Sequence, residues 1–91
     1  MNLSRHAEQR SQQRGIPRLI VDWLERYGDE RYDHNGCTLL YFTKRSLRDL
    51  ERDVGRQPVR RMWEYMRAYA VVSSDGTVVT VGKRFCRLNN N

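Results

Sequence analysis

The sequence predicts an α+β fold in which two N-terminal helices and an intervening helix pack against an antiparallel sheet of two hairpins. Two turn signals each lie between a pair of runs of β-type residues. The first is Asn35-Gly36 and the second is Ser74-Asp75-Gly76. Apolar residues at helical spacing fill the segment between Ile16 and Tyr27. A chain of 91 residues, 38% apolar and 31% charged, is typical of one globular domain, spanning residues 1–91.

Two helices are predicted at the N-terminus. The first covers about residues 5–14, because Ser4 suits an N-cap and Gly15 suits the position after a helix end. Pro17 suits the first position of the second helix, which Gly28 closes. The apolar positions of this second helix, which predict that it belongs to the core, are Ile16, Ile20, Trp23, Leu24 and Tyr27.

Two hairpins supply the predicted sheet. The Asn35-Gly36 pair predicts a type I′ turn, in which both central residues have positive φ. The second turn is predicted at Ser74-Asp75-Gly76, between two β-branched runs. The predicted strands are residues 30–34, 37–42, 68–73 and 77–83.

Between the hairpins, Thr43 can cap a third helix over about residues 44–54 that Gly55 ends. Residues 57–67 fit two patterns, a helix begun by a proline or a strand with alternating aromatic side chains. We favour a short helix that passes into a strand. The large side chains expected in the core of this half are Trp23, Trp63, Met62 and Met66.

Charge and cysteine content limit the class of function. The net charge is +6, with a pI near 9.9, and basic residues dominate at both sides of an acidic segment over residues 21–43. Such a surface field is typical of a nucleic-acid partner or an acidic protein partner. Cys37 and Cys86 make no disulfide framework, which predicts reduced thiols in a cytoplasmic protein. The sequence predicts no membrane span, no metal and no cofactor.

The opening helix carries almost no apolar surface, although it contains His6, Arg10 and Arg14 at four-residue spacing. At about 100° per residue, the two arginines share a face with Leu3 and Ala7, and His6 lies on the flank of that face. A helix docked through this face carries both guanidinium groups toward the body of the protein. Two interpretations remain open: ion pairs with internal acids (Asp22, Glu25 or Asp33), or a cationic cleft with a titratable imidazole at its edge.

The segments "SRHAEQRSQQRGI" and "YAVVSSDGTVVTVGKR" resemble a family of small prokaryotic proteins with an H-A-x-x-R-x-x-x-R-G-I opening and a V-V-x-x-D-G-x-V-x-T-V hairpin. That family in turn resembles the RelE/ParE-type toxins and their ribonuclease-like fold. The resemblance implies a RelE-like protein that acts on RNA or the translation machinery, with an acidic antitoxin-like protein as a partner. The matching residues are His6, Ala7, Arg10, Arg14, Gly15, Ile16, Asp75, Gly76, Thr80 and Val81.

A metal-independent endoribonuclease needs a base, an acid and cations around the transition-state phosphorane. His6 suits the proton transfer, and Tyr65 or Tyr69 can stack a base or give a proton. These roles require the first helix to lie beside the end of the last strand. The candidate catalytic residues are His6, Arg10, Arg14, Lys83 and Arg84.

A strip of basic residues runs along the predicted third helix and the segment after it. Interleaved acids such as Asp49 also fit an ordinary salt-bridged surface helix, so the strip has two interpretations. Its candidate nucleic-acid contacts are Lys44, Arg45, Arg60, Arg61 and Tyr65. The alternative to an enzyme is a binding module for nucleic acid or an acidic partner, encoded in a plasmid, phage or defence locus.

Overall fold

The computed structural model describes residues 3–84, and these residues have the predicted α+β architecture. Cys86 lies outside the described residues. The helices are α1 (Arg5–Gln13), α2 (Arg18–Tyr27), α3 (Lys44–Val54) and α4 (Arg56–Arg61), with a 3₁₀ turn at Trp63–Tyr65. The strands are β1 (Asp29–Tyr32), β2 (Thr38–Tyr41), β3 (Ala68–Val72) and β4 (Val78–Lys83). Within residues 3–84, no helix is long and apolar enough to cross a membrane.

The four strands form one antiparallel sheet in the order β1-β2-β3-β4. Because side chains alternate along a strand, the sheet has two chemically different faces. The inner face packs against α2 and contributes Leu40, Ala70 and Val81, which are at most 3% exposed, to the hydrophobic core. The residues of the opposite face, here called the outer face, are Asp29, Arg31, Leu39, Tyr41, Tyr69, Val71, Thr80 and Gly82.

Helix α1 packs along β4, as the predicted site requires. Leu3 pairs with Val78 in a parallel bridge, and the Ser4 amide donates to the Val78 carbonyl at 2.8 Å. Ala7 is fully buried, and the Ser11 hydroxyl donates to the Ile16 carbonyl at 2.6 Å. One side of α1 is therefore fixed to the last strand and to the core.

The helix boundaries follow the predicted capping residues with one correction. The Ser4 hydroxyl accepts from the Ala7 amide, and Gly15 follows α1 with a φ of 63°. Pro17 occupies the N-cap position rather than the first helical position, because its ψ of 147° is extended and α2 begins at Arg18. Thr43 and Ser46 form a capping box at the start of α3.

The type I′ turn predicted at Asn35-Gly36 is wrong. The residues with positive φ in this loop are His34, at 68°, and Gly36, at 88°. The Asp33 carboxylate accepts the amides of Asn35 and Cys37 at 2.8 and 3.0 Å, which organises a longer loop. This Asx-type capping competes with a two-residue turn, so the strands are shorter than the predicted 30–34 and 37–42.

The second hairpin forms where it was predicted, between β3 and β4. The Ser73 amide donates to the Thr77 carbonyl at 2.9 Å, and Gly76 has a φ of 87°. Hydrogen bonds from the Ser73 hydroxyl and the Thr77 amide hold the pKa of Asp75 below its usual value. A β-bulge after this turn shifts the register opposite Val72.

Residues 57–67 contain helix and turn before the chain enters β3, in agreement with the favoured interpretation. The prediction that Trp63 lies in the core is wrong, because its side chain is 58% exposed. The 3₁₀ turn at Trp63–Tyr65 rotates it away from the helical pattern, while Met66 is buried instead. Trp23 and Met66 belong to the core, and Met62 packs against it.

Candidate nucleic-acid interface

The centre of the candidate interface is a row of residues that crosses the outer face from strand to strand. The register pairs Asp29 with Tyr41, Tyr41 with Tyr69, and Tyr69 with Gly82. Two tyrosine rings therefore occupy neighbouring strands on the same face. They lie beside the smallest possible residue on β4, which leaves space for a group from another element.

That space holds the guanidinium of Arg14. A Cβ built on Gly82 would lie 2.7 Å from the Tyr69 hydroxyl oxygen and 2.9 Å from Tyr69 Cζ, and Nη1 of Arg14 is closer still. Arg14 therefore extends from the end of α1 over the backbone of β4 and lies beside the Tyr69 phenol. Its residue remains exposed overall, and Tyr69 is partly exposed. Glycine at position 82 is what permits this contact.

Tyr41 holds two further cations on the outer face. The Arg31 guanidinium carbon lies 5.8 Å from the centroid of the Tyr41 ring, and that of Arg84 lies 5.7 Å from it. Both distances are within the range of a cation–π interaction. Tyr41 is only 7% exposed, although it is outside the apolar core cluster. The ring therefore serves as a base on which arginines from β1 and from the end of β4 meet.

The remaining acid of the row, Asp29, is already engaged. Its carboxylate accepts hydrogen bonds from the Thr43 hydroxyl and the Arg45 guanidinium. Burial raises the pKa of Asp29, but these two hydrogen bonds outweigh it, so the pKa lies below its usual value. The negative charge of Asp29 is thus balanced by Arg45 rather than by the outer-face arginines.

His6 and Arg10 lie on the side of α1 that borders the outer face. At about 100° per residue, Ser11 is about 40° to one side of Ala7, whereas Arg14, Arg10 and His6 are about 20°, 60° and 100° to the other. The Ser11 side faces the core through Ile16. The His6 side chain is exposed and Arg10 is partly buried. Among residues 3–84, neither arginine forms an ion pair, so the proposed pairing with internal acids is not observed.

Lys83 and Arg84, predicted as a pair, point to opposite faces of the sheet. The Lys83 ammonium lies 4.6 Å from the centroid of the Tyr65 ring, on the side of the helices. Arg84 is on the outer face with Tyr41. Adjacent residues at a strand end alternate in direction, which explains the separation. The structure therefore brings Arg14 and Arg84 onto one face and places Lys83 and Tyr65 elsewhere.

The predicted basic strip along α3 and α4 is divided in a similar way. Arg45 is engaged by Asp29, and Arg52 pairs with Asp49 on the same helix. Among the predicted contacts of the strip, Lys44, Arg60 and Arg61 are exposed and form no ion pair within residues 3–84. Their role in nucleic-acid contact stays a prediction.

Sequence reasoning missed Arg31, Tyr41 and Gly82 as members of the interface. Alternation along the predicted strands contained the signal, because every second residue of a strand faces the side of the sheet away from the helices.

Within residues 3–84, no three His, Cys, Asp or Glu side chains lie close enough to hold a metal ion. Comparisons with protein-family models, with curated proteins and with solved structures found no match to this chain. The chemistry of the outer-face side chains is therefore what bears on function.

Proposed function

We propose that the protein binds single-stranded RNA across the outer face of its sheet. The observation that carries the proposal is the Arg14 guanidinium held beside the partly exposed Tyr69 ring over Gly82. Proteins that bind single strands place cations against the phosphates and aromatic rings against the bases, and here a cation and an aromatic ring lie side by side. The proposal includes the RelE/ParE-like identity that the resemblance implies, with action on RNA or the translation machinery in the cytoplasm.

The dimensions of the outer face suit a single strand better than a duplex. Strand spacing of about 4.8 Å makes the four-strand row about 14 Å wide. Four-stranded RNA-binding sheets stack two or three bases on such a surface. Duplex recognition uses a helix or a β-ribbon that enters a groove, whereas the outer face is the surface of a four-stranded sheet. Unstacked bases can instead lie on Tyr69, with phosphates along Arg14, Arg31 and Arg84.

Fluorescence anisotropy with a short labelled single-stranded RNA tests the proposal. Replacing the stacking ring in Tyr69→Leu is expected to weaken binding by roughly 5- to 150-fold, since a stacked base contributes about 1–3 kcal/mol. Tyr69→Phe keeps the ring and is expected to keep most of the affinity. Arg14→Gln is expected to reduce the slope of log affinity against log salt by about 0.7, the value for one lost phosphate contact.

Arg26→Gln is the matched control, because Arg26 is an exposed arginine on α2, in the helical layer. It removes the same charge without touching the outer face and is expected to leave the salt slope unchanged. Equal losses in Arg26→Gln and Arg14→Gln would mean general charge attraction and would contradict the proposal. A protein that binds an acidic peptide but no RNA would favour the alternative, a module for an acidic antitoxin-like partner.

RNA cleavage is a second candidate function, favoured by the position of His6. Its imidazole is exposed and lies one helical turn before Arg10, on the side of α1 that borders the outer face. Histidine exchanges protons near neutral pH, so it can act as base or acid on the ribose 2′-hydroxyl or the leaving oxygen. Arg10 and Arg14 would then stabilise the charged transition state.

The cleavage candidate is tested with purified protein and RNA, with and without ribosomes, across about pH 5 to 9. His6→Asn is expected to reduce cleavage about 100-fold while leaving RNA binding intact. His34→Asn is the matched control, because His34 is exposed in the loop between β1 and β2 and asparagine tolerates its positive φ. Binding without cleavage under all these conditions would leave a non-enzymatic module of a plasmid, phage or defence locus.

A further inference from the structure

A cavity of about 620 Å³ lies among α3, α4 and the 3₁₀ turn, apart from the outer face. Its lining residues are Glu51, Arg56, Val59, Arg60 and Trp63. The volume is in the range of sites that hold small organic ligands, about 300–1,000 Å³. The cavity combines an aromatic wall, an apolar floor and charged groups of both signs.

The aromatic wall is Trp63, the more exposed of the two tryptophans. It is 58% exposed, whereas Trp23 is 6% exposed. Arg56 and Arg60 are one helical turn apart on α4, and Trp63, from the 3₁₀ turn that follows, lines the same cavity. Val59 between them is 1% exposed and anchors α4 to the core. The exposed indole ring keeps a large apolar surface in contact with water, which is unfavourable. A ligand stacked on the ring would remove that surface from water.

The charges of the cavity have no partners among residues 3–84. Arg56 and Arg60 form no ion pair or side-chain hydrogen bond there, and neither does Glu51. Two neighbouring guanidinium groups repel each other, and an anion between them removes that repulsion. Arginine forks match phosphate oxygens in geometry as well as in charge. Glu51, from α3, adds an acceptor for hydroxyl or amino hydrogens.

We infer that this cavity binds a phosphorylated nucleoside, with the base stacked on Trp63 and the phosphate held by Arg56 and Arg60. Glu51 then accepts from the ribose hydroxyls or an amino group of the base. A free mononucleotide and the phosphorylated end of a nucleic-acid strand present this same chemistry. The cavity shares no lining residue with the outer face, so the result of a nucleotide-binding test does not depend on whether RNA binds the outer face.

Titration of the full chain with adenosine monophosphate tests the inference through tryptophan emission. Stacking on exposed Trp63 is expected to give saturable quenching, while buried Trp23 supplies a constant background. Adenosine alone and inorganic phosphate alone are each expected to bind at least about tenfold more weakly, because each satisfies half of the site. The double variant Arg56→Gln/Arg60→Gln is expected to lose at least about tenfold in affinity.

Arg48→Gln is the matched control, because Arg48 is an exposed arginine of the neighbouring helix α3 that does not line the cavity. It is expected to bind adenosine monophosphate as the wild type does, and circular dichroism checks that each variant is folded. Equal loss in Arg48→Gln, equal binding of adenosine, or absence of saturable quenching would overturn the inference. So would stronger competition by an acidic peptide than by the nucleotide. Competition by a 5′-phosphorylated oligonucleotide that depends on Arg56 and Arg60 identifies the strand end as the source, and its absence identifies the free nucleotide.

Discussion

Substituting alanine for Gly82 removes the cation from the centre of the outer face without changing any charge. The new Cβ would lie 2.7 Å from the Tyr69 hydroxyl oxygen and nearer still to Arg14 Nη1. Ordinary contacts between such atoms are about 3.5–4.0 Å. The guanidinium is the end of a flexible side chain, so it moves away first. The ring of Tyr69 is fixed by its strand and yields less.

Gly82→Ala is expected to weaken folding and RNA binding by comparable free energies, so the two are measured separately. Gly82 does not have positive φ, so alanine restricts the unfolded chain and stabilises by about 0.4–1 kcal/mol. Crowding against Tyr69 costs about 1–3 kcal/mol, so the net loss stays near 2 kcal/mol or less. Displacing Arg14 removes one phosphate contact, about 1–2 kcal/mol, which is a 5- to 30-fold weaker complex.

A double-mutant cycle measured by anisotropy separates displacement of Arg14 from other damage. Gly82→Ala is measured in the wild type and in Arg14→Ala, with thermal melting to confirm folding. If alanine acts by expelling Arg14, it has no further effect on affinity once Arg14 is absent. Additive losses in the two variants, or full affinity in Gly82→Ala, would refute the reasoning.

Three further variants test the fold. Asp29→Asn is expected to lower Tm near neutral pH, because the pKa of Asp29 is depressed in the folded protein. The difference is expected to shrink as the pH falls below about 4 and to vanish only below the depressed folded-state pKa; a pH-independent loss would contradict this. Leu50→Ala is expected to lower the free energy of urea unfolding by about 2–5 kcal/mol, since Leu50 is fully buried. A smaller loss would mean that neighbouring side chains fill the space left by the leucine. Gly15→Ala, at a φ of 63°, is expected to cost about 1 kcal/mol in the same assay, and an unchanged midpoint would argue against a left-handed residue at this helix end.

Local signals in the sequence were sufficient for most of the architecture. Capping by Thr43, the helix end at Gly55 and the turn at Gly76 all appear where residue chemistry placed them. These features depend on a few neighbouring residues, so tertiary context had little to alter. The sequence also predicted that both hairpins belong to one sheet, because two amphipathic hairpins have apolar faces to bury together, although it did not predict the order of the strands.

The errors arose where two local preferences competed. Asn35-Gly36 favours a two-residue turn, but Asp33 offers its carboxylate to two amides of the same loop and fixes a longer connection. Trp63 fits the apolar stripe of a continuous helix, yet the helix ends at Arg61 and the turn that follows changes the direction of its side chain. A break of this kind depends on how the chain must enter β3, which is a tertiary constraint.

The candidate site was foreseen in part. The spacing of Arg10 and Arg14 predicted that α1 carries both guanidinium groups toward the body of the protein, and Arg14 does lie beside Gly82 near the end of β4. The separation of Lys83 from Arg84 follows from strand alternation and was within reach of the sequence. The contact of both Arg31 and Arg84 with the Tyr41 ring could not be predicted from the sequence, because it depends on the order of strands in the sheet.

The packing of α1 along β4 makes the first described helix depend on the last described strand. During synthesis, α1 emerges long before β4, and it has only Ala7 and Ser11 to bury against any partner. Closing so long a loop is slow and costs entropy that local contacts do not offset. The first hairpin and α2 can assemble before the ribosome has released β4, whereas α1 must wait. Arg14 can therefore reach Tyr69 only after β4 has joined the sheet, so the proposed RNA-binding surface is completed only when the whole sheet is in place.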